Sequence, residues 1–384
     1  MNVLIDYRPA LRSRTGVGEW VHSLVSALAE INSADLGLRP PDLTVFSSSW
    51  KDRLLVRDLP KAVHSLDRHI PVSFLNYFWH RFNWPPVEFL TRSRFDVVHS
   101  PHPLLIPSKH AAQVVTIHDL DFLDHPERTD AEVQRDYPKL VQRHALRADQ
   151  VVVPSQHTAA EVEKRLGVNP EAITLCPNGA PRWPARKDLP PNGHILFVGS
   201  ITPRKNIGVL LDAYSALLGR RRDLPSLVLA GPPGPRNSKW LKLIESPPFN
   251  GRVKCTGYLD RTELKKYYDN ALVLVLPSLN EGFGLPALEA MTVGVPVVAS
   301  NRGALPEIVG KSGLLVDPTR PSDLASAVEQ MIYDRSFART CVKNGFRGAA
   351  RFSWHTSAKH LLHAYSKAVS AQSSRLAKTG QLHS

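Results

Sequence analysis

Short runs of valine, isoleucine and leucine alternate with longer stretches of helical period along this chain, and the alternation happens twice. That pattern belongs to βαβ units, whose buried parallel strands read as near-continuous apolar runs between crossover helices. Strands are expected at 2–6, 43–46, 96–99, 113–117 and 150–153, with helices at 18–30, 131–147 and 155–166. Ser155 suits the N-cap of the last helix. The stretch PRWPARKDLPPNG at 181–193 holds four prolines and no apolar period, which marks a connector. Beyond it, strands are expected at 194–198, 226–230, 252–256, 272–276 and 296–299, and helices at 207–218, 261–269, 286–292, 321–333, 335–350 and 354–369. The fold class is therefore α/β, with two Rossmann-like doubly wound domains at 1–182 and 194–370 and a linker at 183–193. The last helix could pack back on the first domain. The polar stretch 371–384 lacks a core face and is expected to be a flexible tail. Sheets of this kind bind ligands beyond the carboxyl ends of their strands, so two facing domains would share a deep cleft.

A length of 384 residues suits two cores of ordinary size, and 42% hydrophobic with 22% charged residues is globular composition. Lysine and arginine total 48 against 35 acidic residues, a net charge of +13 that calls for an anionic partner: nucleotide phosphates, an acidic membrane surface or nucleic acid. No aromatic RNP strand or zinc knuckle accompanies the charge, so nucleic acid is not expected. Cys176, Cys255 and Cys341 are far apart and odd in number, which fits reduced thiols. MNVLID enters a strand without a signal-peptide pattern, and no apolar run reaches the ~18 residues of a spanning helix. A cytoplasmic protein is expected, at most in peripheral contact with the anionic inner face of a membrane.

The most informative segment is NEGFGLPALEAMTVGVPVVAS at 280–300, which follows the apolar run LVLVLPS. It reads as strand, glycine-rich turn, then helix. Gly282 and Gly284 allow close approach of the backbone to an anion, and Pro286 suits the first helical turn. The helix N-terminus then offers N–H groups and a positive dipole end to a phosphate. Glu281 precedes the helix and Glu289 lies inside it, so one carboxylate is placed for sugar hydroxyls and the other for ribose. With Phe283 and Leu285 between the glycines and the helix, the whole segment is assigned to donor binding.

This segment resembles the signature of glycosyltransferase family 4, in which two glutamates separated by seven residues flank a glycine-rich turn. The resemblance extends over nearly the whole chain and is strongest from His194 to Val316. It implies the GT-B fold, retention of anomeric configuration, a UDP-, GDP- or ADP-sugar donor, and no metal or other cofactor. It also implies sugar contact for Glu281 and ribose contact for Glu289.

A second cluster, FVGSITPRKNIGVLLDAY at 197–214, puts Arg204 and Lys205 after a strand and Gly199, where two cations could neutralise charge on a diphosphate leaving group. Many family members carry arginine directly after the glycine. This chain has Ser200 there and Arg204 beside Lys205, and so is similar to a subgroup with a Pro-Arg-Lys-Asn motif that transfers mannose or other hexoses in polysaccharide assembly. RTGVGEW at 14–20 provides Gly16 and Gly18, whose N–H groups would approach the donor phosphate as the family's N-terminal glycine loop does. His118, after the strand QVVTI, stands where the family has a histidine that bonds the transferred sugar.

Asp119 and Asp121 imitate an Asp-x-Asp metal motif but read as caps or turn formers, and His99 and His102 read as structural. CTGYLDRTEL at 255–264 resembles the segment whose backbone touches the nucleobase, which makes Tyr258 and Leu259 base-contact candidates. FLNYFWHRFNW at 74–84 concentrates six aromatics, suiting an acceptor groove, a membrane-interface helix or plain core. The expected activity is metal-independent transfer of a hexose, mannose foremost, to a glycan or lipid-linked acceptor. A nucleotide-sugar epimerase of the same fold and a non-catalytic basic binding protein are the rival readings.

Overall fold

The computed structural model describes residues 1–11, 14, 16–32, 40–50, 52–129, 131–234 and 238–381. The chain divides into two compact units: Met1–Pro126 with Ala131–Gly179 and Trp354–Ser384, and Glu127–Asp130 with Ala180–Ser353.

In the N-terminal unit β1 (Asn2–Asp6), β2 (Asp42–Ser48), β3 (Val63–Arg68), β4 (Val97–Ser100), β5 (Ala112–Thr116), β6 (Gln150–Val153) and β7 (Ile173–Leu175) form one sheet in the order β3-β2-β1-β4-β5-β6-β7. Every neighbouring pair is parallel. Because side chains alternate across a strand, β1 feeds two cores at once. Val3 and Ile5 pack with the helix Val17–Glu30 and the C-terminal helix, while Leu4 joins Leu75 and Trp79 of the helix Val72–Phe82 on the other face.

In the C-terminal unit β8 (His194–Val198), β9 (Leu227–Ala230), β10 (Val253–Gly257), β11 (Ala271–Leu276), β12 (Val297–Ser300) and β13 (Gly313–Val316) form a second all-parallel sheet, ordered β10-β9-β8-β11-β12-β13. Strand order reverses between β1 and β4 in the first sheet and between β8 and β11 in the second. Loops leaving two such neighbours diverge to opposite sides and open a crevice at their carboxyl ends.

The structure redraws the expected boundaries. Residues 183–193 belong to the C-terminal unit, because Arg186 donates from its backbone to Val293 O (3.0 Å) and from Nε to Gly294 O (3.0 Å). The helix Trp354–Gln381 belongs to the N-terminal unit, where Ala358, Leu361, Tyr365 and Ala368 are buried beside Val3 and Ile5. Residues 371–381, expected as a flexible tail, continue this helix. Gln372 Nε2 donates to His110 O (2.8 Å) and Arg375 pairs with Asp149 (3.0 Å), while 382–384 lie outside the described residues.

Candidate active site

The reversal between β8 and β11 is where the second unit gathers its charged residues. After β8, Gly199 has φ +147, and a Cβ there would stand 3.4 Å from Lys205 Cε, so the lysine stem lies across the glycine. A short turn, Pro203–Lys205, follows. Asn206 ends it in the left-handed conformation at φ 57, which asparagine tolerates better than most residues. Its Nδ2 donates to Pro277 O (3.1 Å) and Pro318 O (2.7 Å). The Pro-Arg-Lys-Asn string is therefore a turn tied by its last side chain to the end of β11, with two cations held between the ties.

From β11 comes the partner. Glu281 is buried, and its Oε1 accepts from Lys205 Nζ and from Ser278 Oγ (2.7 Å), while its Oε2 pairs with Arg204 Nη1 at 3.3 Å. Arg204 Nη1 also donates to Asn280 O (2.8 Å). Burial pushes the Glu281 carboxyl up, but Lys205, Arg204 and the two hydrogen bonds outweigh it and hold the carboxyl at about 2. Glu281 is thus a carboxylate at any physiological pH, and two cations facing one carboxylate leave a net positive charge.

Gly284, at φ +103, begins the helix Leu285–Val293, and no side chain caps it. A Cβ on Gly284 would meet Leu305 Cδ2 at 2.7 Å. Gly282 is buried, Leu285 packs against the core, and the Phe283 side chain turns into the core against Phe352, ring centroids 5.6 Å apart. Phe283 therefore has only its backbone to offer a donor.

Inside the helix Glu289 is buried, with Oε1 paired to Arg261 and Oε2 accepting from Tyr268 OH at 2.8 Å. Burial, reinforced by Glu289, raises the Tyr268 phenol well above its usual range, so it stays a donor. Arg261 stacks 4.2 Å from the centroid of Trp183. A carboxylate oxygen has lone pairs for more than one donor, so a ribose hydroxyl can join these partners. Tyr258 is exposed after β10, and Leu259 leans on the core just before Asp260, whose side chain caps the next helix in a capping box with Glu263.

Three of the expected residues, Arg204, Lys205 and Glu281, are in direct contact. Glu289 forms a separate pairing in the same unit, and Gly16, Gly18 and His118 stand in the N-terminal unit. There Gly16 begins the helix Val17–Glu30 at φ 48, whereas a Cβ on Gly18 would lie 2.5 Å from Pro9 O, so Gly18 serves close packing. Trp20 of the same helix meets His118 edge-on at 5.0 Å. His118 Nε2 must carry its hydrogen, because it donates to the Pro101 carbonyl at 3.2 Å, and burial lowers its pKa to about 4. The ring is neutral, with Nδ1 as its acceptor. His99 has both ring nitrogens engaged, by Tyr365 OH and Thr116 Oγ1 at 2.8 Å each. Asp119 Oδ1 accepts from Asp121 N at 3.2 Å, a turn-forming bond.

Ser278, Asn206, Tyr268, Arg261 and Gly303 were not singled out in the sequence. Gly303 has the firmest requirement: φ is +62, and a Cβ would stand 2.6 Å from Glu281 O and 2.7 Å from Glu281 N. Gly303→Ala is expected to cost roughly 2 to 5 kcal/mol in denaturant unfolding, and to lower activity by displacing Glu281. A variant as stable and active as the parent would contradict this contact.

These features agree with what the chain resembles in known proteins. Glycosyl transferases group 1 matches residues 182–348, and Glycosyltransferase Family 4 matches residues 15–182. O-antigen chain mannosyltransferase B of Escherichia coli is 31% identical over 281 residues, covering 70% of this chain and 74% of that protein. The chain belongs to glycosyltransferase family 4. Serotype-specific mannosyltransferase WbdA of E. coli is also 31% identical, over 253 residues, but this chain spans only 31% of its length. Among solved structures, sucrose-phosphate synthase of Thermosynechococcus elongatus superposes with a TM-score of 0.78 at 22% identity, covering 97% of this chain and all of the other. Anabaena HepE in complex with UDP and glucose does so at 0.69 and 18%, covering 95% and 99%. The two Rossmann-like domains are those of the GT-B fold, and the family 4 protein is a glycosyltransferase. The epimerase and idle-binder readings give way to it.

Proposed function

We propose that this glycosyltransferase moves mannose from GDP-mannose to a glycan or lipid-linked acceptor, with retention of configuration and without a metal. The observation that carries the reading is the contact of Lys205 and Arg204 with Glu281 at the β8/β11 reversal. The cations and the N-terminus of the helix Leu285–Val293 are suited to the charge that grows on a departing diphosphate. Glu281, ionised, accepts hydrogen bonds from hydroxyls of the transferred sugar, and neutral His118 can accept one at Nδ1. Glu289 takes the ribose.

In the step itself the bond from the anomeric carbon to the phosphate oxygen breaks and a bond to the acceptor oxygen forms on the same face. The acceptor proton passes to the departing phosphate oxygen, so no protein nucleophile is required. Mannose is favoured by the similarity to O-antigen chain mannosyltransferase B, and a nucleotide donor by the likeness to HepE, solved with UDP and glucose.

A thermal-shift comparison of UDP, GDP and ADP tests the base. GDP should raise the C-terminal unit's midpoint by about 5 to 10 °C at roughly a hundredfold excess over Kd. NMR of the product from GDP-mannose should then show the donor's anomeric configuration, with or without chelator. A shift by UDP or ADP alone, an inverted product, or loss of activity in chelator would each overturn the corresponding part.

A further inference from the structure

No helix among the described residues is long and apolar enough to cross a membrane, yet one surface of the N-terminal unit is built of exposed aromatics. The helix Val72–Phe82 is held to its sheet by an inner face of Leu75, Asn76, Trp79 and His80, all buried. Trp79 packs 5.9 Å from Phe46 and its Nε1 donates to Pro85 O at 3.0 Å. The outer face and the turn after it leave Phe74, Phe82 and Trp84 exposed by 58, 60 and 57%. These rings form one connected group through Phe78: Phe74–Phe78 at 4.8 Å, Phe78–Phe82 at 5.7 Å and Phe78–Trp84 at 6.4 Å. Phe89, on the following short helix, is 63% exposed. A contiguous apolar surface of this kind, not required by the fold beneath it, marks an interaction site.

Its charge selects the partner. Between His69 and Phe95 the sequence holds Arg81, Arg92 and Arg94 but only Glu88 as an acid. Glu88 is turned to its own loop, accepting from Lys109 N at 3.1 Å. Arg81 lies over the Tyr77 ring at 5.2 Å and Lys109 over Phe89 at 5.0 Å, so cations and rings are presented together. Aromatic side chains seat at the boundary between lipid headgroups and acyl chains, and arginine beside them pairs with anionic headgroups.

We propose that this face docks the protein on an anionic lipid bilayer, with Phe74, Phe82, Trp84 and Phe89 entering the interface and Arg81, Arg92, Arg94 and Lys109 meeting the headgroups. The net charge of +13 pulls in the same direction. The inference does not depend on which sugar is transferred.

The full chain is spun with vesicles of phosphatidylglycerol and phosphatidylcholine, and with phosphatidylcholine alone, at low salt and at about 0.5 M salt. Binding is expected to the anionic vesicles at low salt and to weaken in high salt. The triple variant Phe74→Ser, Phe82→Ser, Trp84→Ser should bind at least about a hundredfold more weakly, and Arg81→Glu with Arg92→Glu about tenfold or more. Thermal midpoints near the parent's establish that both variants are folded. Indifference of the parent to anionic vesicles, equal binding to uncharged ones, or undiminished binding by the triple variant would overturn the proposal. So would concentration-dependent self-association, abolished by the triple variant, in a parent that ignores vesicles, because the face would then belong to a second copy.

Discussion

Lys205→Ala is expected to lower turnover by about 10²- to 10³-fold, the loss typical when one fixed donor to a developing negative charge is removed. The substitution also takes from Glu281 the first of its two cations, so that carboxyl moves back up towards its ordinary range. Removing one member of a buried pair destabilises, but Arg204 and Ser278 remain on Glu281. The thermal midpoint should therefore fall by roughly 3 to 10 °C rather than collapse. Donor consumption measured well below that midpoint separates the two effects. Turnover above a tenth of the parent's in a folded Lys205→Ala protein would remove Lys205 from the chemistry.

Acid will unfold the C-terminal unit partly through Glu281. Its folded carboxyl sits at about 2 against 4.5 for an ordinary glutamate, so the folded state binds its proton less readily than the unfolded chain does. The stability this confers, on the order of 3 kcal/mol, is fully present above about pH 5 and is lost as pH falls from 4.5 through 2. Glu281→Gln keeps the shape and cannot titrate. Its unfolding free energy should be lower than the parent's at neutral pH, with the gap closing as the parent loses stability in acid. Denaturant midpoints at a series of pH values give the answer, and parallel acid profiles for the two proteins would show that Glu281 is not the depressed group. Activity should fall in the same variant at every pH, since an amide cannot replace a full negative charge between Lys205 and Arg204.

The central strands were legible because parallel strands covered on both faces must be apolar at nearly every position. Asn2–Asp6, Gln150–Val153 and His194–Val198 begin and end where their apolar runs do. The omitted strands, Val63–Arg68, Ile173–Leu175 and Gly313–Val316, are all sheet edges. An edge strand is half covered, so residues such as His64, Asp67 and Arg68 carry no core signal. The end of the C-terminal helix was hidden for a similar reason. Its last turns are held by Arg375 to Asp149 and by Gln372 to His110 rather than by an apolar face.

For the site, local chemistry sufficed wherever a backbone turn had to approach an anion, because only certain residues tolerate that geometry: hence Gly199, Gly284 and the cations beside them. Nothing along the chain indicated that Glu281 would be paired with Lys205, some seventy positions earlier, or that Glu289 would already hold Arg261 and Tyr268. Those pairings exist because strand order reverses between β8 and β11 and brings the ends of two distant strands side by side. Ionisation states follow from the same closure: a glutamate is acidic or a histidine neutral according to what burial removes and which charges folding delivers, and neither quantity is local.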